Sequence, residues 1–237
     1  MRGFFVAGTD TGVGKTQVAG ALLSLLPGAV PLKPVETGCD PARPEDALAL
    51  LAASRGSFDL ERVCPYRFRM PAAPLVAAEA EGQTVSLERI EQLVARAAPS
   101  PVVVEAAGGL LVPLAREVAA WTIEQADPAE RSPAPTLVTN LDLAERLGLP
   151  VVLVARAGLG TLNHCALSAD VLARRDLDLA AIVLNRVSSE DDPTVASNAR
   201  LVEELTGARI LGPTPFVEDD AKRPAAIARV LAPLVAY

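Results

Sequence analysis

The apolar run GFFVA at residues 3–7, the loop GTDTGVGKT at 8–16 and the run VAGALLSLL at 18–26 read as a strand, a glycine-rich turn and a helix in succession. Glycines at 8, 12 and 14 tolerate positive φ and close approach, so such a loop can turn several backbone N–H groups towards one point. A helix starting near Lys15 adds the partial positive charge of its N-terminus. Lys15 then supplies a point charge to β and γ phosphates, and Thr16 a hydroxyl suited to magnesium. The combination points to a nucleotide site. The spacing nevertheless departs from G-x-x-x-x-G-K-[ST], because the first glycine position falls on Thr9 and the glycine present is Gly8.

Beyond the loop, short apolar runs alternate with helical segments. AVPLKPV precedes a helix over about 44–55, and PVVVEAAGG follows later. LPVVLVARAG leads into 161–174, LAAIVLNRV into 193–206 and ARILGPTPF into 223–235. Strand-like runs that are apolar on both faces and separated by helices predict an α/β fold: a doubly wound, mostly parallel sheet flanked by helices, with ligands at the carboxyl ends of its strands. Half of the residues are hydrophobic and only 3% aromatic, an Ala, Val and Leu interior of the kind such a sheet requires. A chain of 237 residues suffices for one large domain or two small ones, and we read 1–237 as a single domain. Residues 115–135, rich in Ala, Pro and charge, read as a partly helical surface connection, with Asn140 as the cap of the next helix.

The formal net charge of −7 argues against a broad surface for nucleic acid or anionic lipid. An anionic substrate must then be held by a few local cations or backbone N–H groups. Cys39, Cys64 and Cys165 are odd in number and widely spaced, which suggests neither a disulfide framework nor a zinc site and fits a reducing cytoplasm. No stretch reaches the ~20 apolar residues of a membrane helix.

Several side chains outside the loop are candidates for chemistry. Glu105 ends the run VVVE and places a carboxylate beside the loop, where magnesium needs oxygen ligands. Asp46 lies in PEDALALL, in the first turn of a helix that Pro44 can open, and reads equally well as a partner of the helix dipole. Lys33 precedes Pro34 in KPVETG, a setting biased to extended geometry that can aim its ammonium across the strand ends; a solvated loop lysine is the competing reading. His164 is the only histidine and cannot build a histidine metal site. It reads as structural or substrate-adjacent, and backbone N–H groups near Thr161–Asn163 as a place for a carboxylate.

GTDTGVGKT, KPVETG, PEDALAL, VVVEAAGG, GLGTLNH and PTPF stand in an order that resembles the dethiobiotin synthetase family across nearly the whole chain. The displaced glycine of GTDT is shared with that family, and related P-loop ATPases of the partitioning type carry a lysine where this chain has Asp10. The resemblance implies a P-loop NTPase-like fold and an ATP- and Mg-dependent carboxylation and ring closure of 7,8-diaminononanoate with CO2 to dethiobiotin, releasing ADP and phosphate. It implies Lys15 and Lys33 as catalytic cations, and Thr16, Asp46 and Glu105 as the magnesium set. For ATP it implies Gly12, Val13, Gly14, Lys15, Thr16, Asp46, Glu105 and Gly108, with Asn185, Pro215, Phe216 and Val217 near the adenine. For the substrate it implies Thr11, Thr37, Leu159, Gly160 and Asn163, the last three in a region that receives the substrate carboxylate across a homodimer interface. One departure stands out: the family reads Glu-Gly-Ala-Gly-Gly where this chain has EAAGG, so a Cβ at Ala106 is expected to crowd backbone near the nucleotide. Two rival readings share the loop, a nucleotide-switched partitioning ATPase and the synthetase part of an amidotransferase.

Overall fold

The computed structural model describes residues 3–117, 136–219 and 222–236. In chain order the elements are β1 (Gly3–Gly8), α1 (Lys15–Leu25), β2 (Val30–Leu32), β3 (Val35–Thr37), α2 (Glu45–Ala53), α3 (Leu60–Val63), β4 (Tyr66–Phe68), α4 (Pro74–Ala80) and α5 (Leu87–Ala97). There follow β5 (Val102–Gly109), β6 (Pro113–Glu117), β7 (Thr136–Thr139), α6 (Asn140–Leu147), β8 (Val151–Arg156), α7 (Thr161–Arg174), β9 (Leu179–Asn185), α8 (Val195–Thr206), β10 (Ile210–Leu211) and α9 (Arg223–Val235).

Six strands form the main sheet in the order β10-β9-β8-β1-β5-β2, every neighbouring pair parallel. The chain adds strands first on one side of β1 and then on the other, so the strand order reverses at β1. In open parallel sheets that reversal leaves a crevice at the carboxyl ends of the strands. The glycine loop follows β1 and occupies this place. The expected doubly wound, mostly parallel sheet flanked by helices is the one observed.

Alternation along the strands explains both covering layers. Phe5, Val104 and Leu153 join one apolar cluster with Leu87, Ile90 and Val94 of α5, Leu141 of α6 and Leu172 of α7. Val6, Val103, Val152 and Val154 face the other way, into a cluster with Val18 and Leu22 of α1 and Ile227 and Leu231 of α9. Each strand is thus apolar on both faces because helices cover both.

Two details differ from the sequence reading. AVPLKPV is not one strand: β2 lies in the main sheet, whereas β3 pairs with β4 in a separate two-stranded sheet. Asn140 is not the cap of α6. Thr139 takes that position in a reciprocal capping box with Asp142, and the Asn140 amide instead donates to the carbonyls of Ala107 and Gly109 at the end of β5. Of the connection expected over 115–135, residues 115–117 belong to β6, and the remainder lies outside the described residues.

Candidate active site

The displaced glycine has a steric reason. A Cβ at Gly8 would stand 2.8 Å from the Asp10 carbonyl and 3.0 Å from Nζ of Lys15, closer than side chains pack. Its absence lets the Lys15 ammonium fold back and donate to the Asp10 carbonyl at 3.0 Å. Gly14 caps α1 at φ +89°, in the left-handed region, directly above the buried Asn185. The Asn185 amide donates to the Val13 carbonyl at 2.9 Å, and its oxygen accepts from Thr214 at 2.5 Å. The far strand β9 therefore holds the loop from below.

Three elements bring charge to the loop's open side. Glu105 comes from β5, Lys33 from the Lys33-Pro34 link between β2 and β3, and Asp46 from the first turn of α2. The Lys33 ammonium, almost wholly buried, lies 2.6 Å from Glu105 and 2.8 Å from Asp46. The Thr16 hydroxyl stands 2.9 Å from a carboxylate oxygen of each. A hydroxyl owns one proton and can satisfy one of these oxygens at a time. The second oxygen of Glu105 is buried with no hydrogen-bond partner. The cluster thus carries more acceptor capacity than its donors fill, which favours a further cation.

The proton affinities follow from this packing. Burial alone would lower Lys33, but the carboxylates of Glu105 and Asp46 outweigh it and hold the ammonium firmly charged. For Asp46, burial pushes upward and Lys33 prevails, keeping the carboxyl below its usual range. Burial wins at Glu105 and raises its carboxyl against the opposing pull of Lys33. Lys15 is lowered, first by burial and then by the neighbouring Lys33 charge. Two cations crowd one site, as a polyphosphate would require.

A cavity of about 940 Å³ opens over this cluster. Thr11, Gly12, Gly14, Lys15, Thr16, Lys33, Thr37, Asp46, Glu105 and Gly108 all line it, so residues scattered over nearly a hundred positions meet in one place. Glu36, Gln17, the Pro71–Pro74 segment, Val112 and Pro224 line it too.

The family model described as AAA domain matches residues 2–126 and 122–222. The ATP-dependent dethiobiotin synthetase BioD of Anaeromyxobacter dehalogenans strain 2CP-C is 47% identical to this chain, with both chains covered in full. The chain belongs to the dethiobiotin synthetase family. The synthetase of Bacillus subtilis strain 168 is 35% identical over 94% of this chain and 90% of its own length. That of Haloferax mediterranei is 36% identical over 90% and 84% respectively.

Not every residue that the synthetase resemblance selects faces the cavity. Val13 is buried in the apolar layer under the loop, and Asn185 is engaged by Val13 and Thr214. Pro215, Phe216 and Val217 follow β10 near the strand ends, where Arg223 stacks over the Phe216 ring and donates to the Val217 carbonyl. Leu159, Gly160 and Asn163 sit at the start of α7, outside the cavity wall, with Leu159 83% exposed. His164, like Asn163, is exposed on α7. Ala106 does not crowd the site: it packs with the apolar cluster on the opposite face of β5, while Glu105, Ala107 and Gly108 line the cavity.

Glu36 carried no signal in the sequence. It points from β3 into the site, 5% exposed, and accepts from the backbone N–H groups of Asp46 at 3.1 Å and Ala47 at 2.9 Å. Its partners lie ten and eleven positions away, so nothing short of the fold reveals the contact. An uncapped helix start at Pro44 was the only available hint.

Proposed function

We propose that this synthetase captures CO2 on one amine of 7,8-diaminononanoate and closes the ring to dethiobiotin at the expense of ATP. The observation that carries the reading is the buried Lys33 ammonium, set between Glu105 and Asp46 beside Thr16 and the glycine loop. In this reading the amine nitrogen attacks CO2 and gives up a proton, forming a carbamate. A carbamate oxygen then attacks the γ-phosphorus while the bond to the ADP oxygen breaks. The second amine attacks the carbonyl carbon of the mixed anhydride, phosphate departs, and a second proton is released as the cyclic urea forms. Little of this asks for covalent chemistry from the protein; positioning and charge neutralisation dominate.

The chain's residues divide that work. Backbone N–H groups from Gly12 to Thr16, with Lys15, hold the phosphates. Lys33 offsets charge on the carbamate and the transferring phosphoryl group. Thr37 meets the diamine, and the start of α7, with Leu159, Gly160 and Asn163, receives the substrate carboxylate from the second subunit of a homodimer. Asn185 and Pro215–Val217 border the adenine. Thr16, Asp46 and Glu105 would hold magnesium: they form an all-oxygen set, and the unpartnered oxygen of Glu105 fits a hard cation. Magnesium commonly binds through one or two carboxylates together with phosphates and water. When bound, magnesium supplies charge neutralisation at the phosphates. The reaction is placed in the cytoplasm.

The test is product formation. Purified protein with magnesium, ATP and bicarbonate should yield ADP and dethiobiotin in equal amounts only after the diamine is added, followed by mass spectrometry. ATP turnover indifferent to the diamine would overturn the reading.

A further inference from the structure

We infer that Glu36 is a positioning residue that sets Asp46 in the active site by capping α2 from outside the helix. The inference rests on the reading of Asp46 as a group of the magnesium and phosphate site.

Helix starts leave N–H groups without partners, and the residue before the helix normally supplies a side-chain acceptor. Pro44 occupies that position before α2 and supplies none. Glu36 takes its place, with one carboxylate oxygen on the Asp46 N–H and the other on the Ala47 N–H. A negative group at this end also meets the positive end of the helix dipole. The seven residues between Thr37 and Glu45 form no named helix or strand. The Glu36 contact closes that loop at its base.

What is tied together is specific. Asp46 donates its N–H to Glu36 while its two carboxylate oxygens face Thr16 and Lys33 at 2.9 and 2.8 Å. Lys33 and Glu36 belong to one short stretch of chain, three residues apart. The cap therefore fixes α2 against the same segment that delivers Lys33, and so sets the separation between Asp46 and Lys33. Glu36 also forms part of the wall between the main cavity and a side cavity of about 510 Å³ lined by Thr37, Gly38, Cys39, Arg43 and Glu45. Without the carboxylate, both N–H groups face open space and the first turn of α2 is free to swing.

The experiment is a double-mutant cycle between Glu36→Ala and Asp46→Asn, read by calorimetric titration of Mn2+ into the ADP complex and by the magnesium dependence of turnover. Outer-shell partners of metal ligands typically contribute about 10–100-fold in metal affinity. Glu36→Ala should weaken Mn2+ retention about tenfold or more and raise the magnesium needed for half-maximal rate in step. In the Asp46→Asn background the same change should have little further effect, because the groups act through one another. Glu36→Gln, which keeps one acceptor, should fall between wild type and Glu36→Ala, and it carries the test if Glu36→Ala does not fold. Additive losses, or Mn2+ affinity unchanged in a folded Glu36 variant while Asp46→Asn weakens it, would overturn the inference. An Asp46→Asn protein with unaltered metal affinity would remove the reading of Asp46 itself.

Discussion

Lys33 stands in a position where a single side chain balances two acids. Removing one member of a buried ion pair leaves an uncompensated charge and typically costs about 3–5 kcal/mol. Lys33→Ala should therefore lower the melting temperature, and magnesium with ADP should recover more stability in this variant than in wild type, because the exposed acids then meet a cation. Scanning calorimetry with and without the metal nucleotide measures both. Turnover should fall on the order of 10² or more. Gly14 gives a second prediction, at the loop. A Cβ there would stand 2.1 Å from the amide nitrogen of Asn185, and φ +89° is strained for any other residue by about 1–3 kcal/mol. Gly14→Ala should push Asn185 off the Val13 carbonyl and reduce ADP affinity by about tenfold or more, since each 1.4 kcal/mol is tenfold. Titration of ADP into the variant, with circular dichroism to establish folding, checks it. Lys15 and Thr16 stood out through the Gly-Lys-Thr ending of the loop, whereas Lys33 and Asp46 kept a bland alternative until the resemblance selected them, and Glu105, read as the end of a strand, lies in the middle of β5. Glu36 was not legible, since its role exists only once β3 and α2 meet. Asn185 was marked only by the resemblance, and its burial beneath the loop, on the Val13 carbonyl, came from the packing of β9 in the sheet.

The elements that carry the site were also the most legible. β1, α1, β5, β8, α7, β9 and α9 follow the expected ranges closely because long apolar runs and helical segments alternate there. The split of AVPLKPV was hidden by its apolar continuity. Lys33 donates its N–H to the Val63 carbonyl and Pro34 has no N–H to give, so the main-sheet ladder ends at Leu32. α5 shows the opposite case: Leu87, Ile90 and Val94 recur at helical spacing after the Ser86 cap, a pattern readable in principle but without chemistry to draw attention to it. The start of α6 yields two predictions. Asn140, 1% exposed, serves two carbonyls at the end of β5, so Asn140→Ala removes both bonds, leaving the Gly109 carbonyl only the N–H of Val112, and should cost about 1–3 kcal/mol in denaturant unfolding. Asp142 behaves differently with pH. Burial would raise its carboxyl, but the hydroxyl and N–H of Thr139 together with Arg175 outweigh this and hold it below the usual carboxylate range. A depressed folded value stabilises above the unfolded value of about 3.9 and is lost as pH falls through the folded one. Asp142→Asn should accordingly lower stability at neutral pH, by an amount that solvent screening of this partly exposed group keeps small. The gap to wild type should narrow as unfolding is measured below about pH 4; a gap that widened in acid would contradict the assignment.

The proposed homodimer rests on which proposed residues fail to meet. Thr37 and Lys33 line the cavity, whereas Leu159, Gly160 and Asn163 lie beyond its wall at the start of α7. In the proposed reading, where the α7 start holds the diamine carboxylate, that segment comes from a second copy. The surface there is suited to being covered. Leu159 is 83% exposed, and Leu167, one helical turn beyond Asn163, is 58% exposed. A covered segment would take these two side chains out of water. Sedimentation velocity of the wild-type protein should give the mass of two chains. Leu159→Asp combined with Leu167→Asp should shift it to the mass of one, since charge placed in an apolar contact opposes association. Because the phosphate-binding loop and its acids belong to one subunit, the separated chains should still bind ADP, while the KM for the diamine rises steeply. A wild-type protein that sediments as one chain and turns over fully would place the carboxylate site elsewhere on the same subunit.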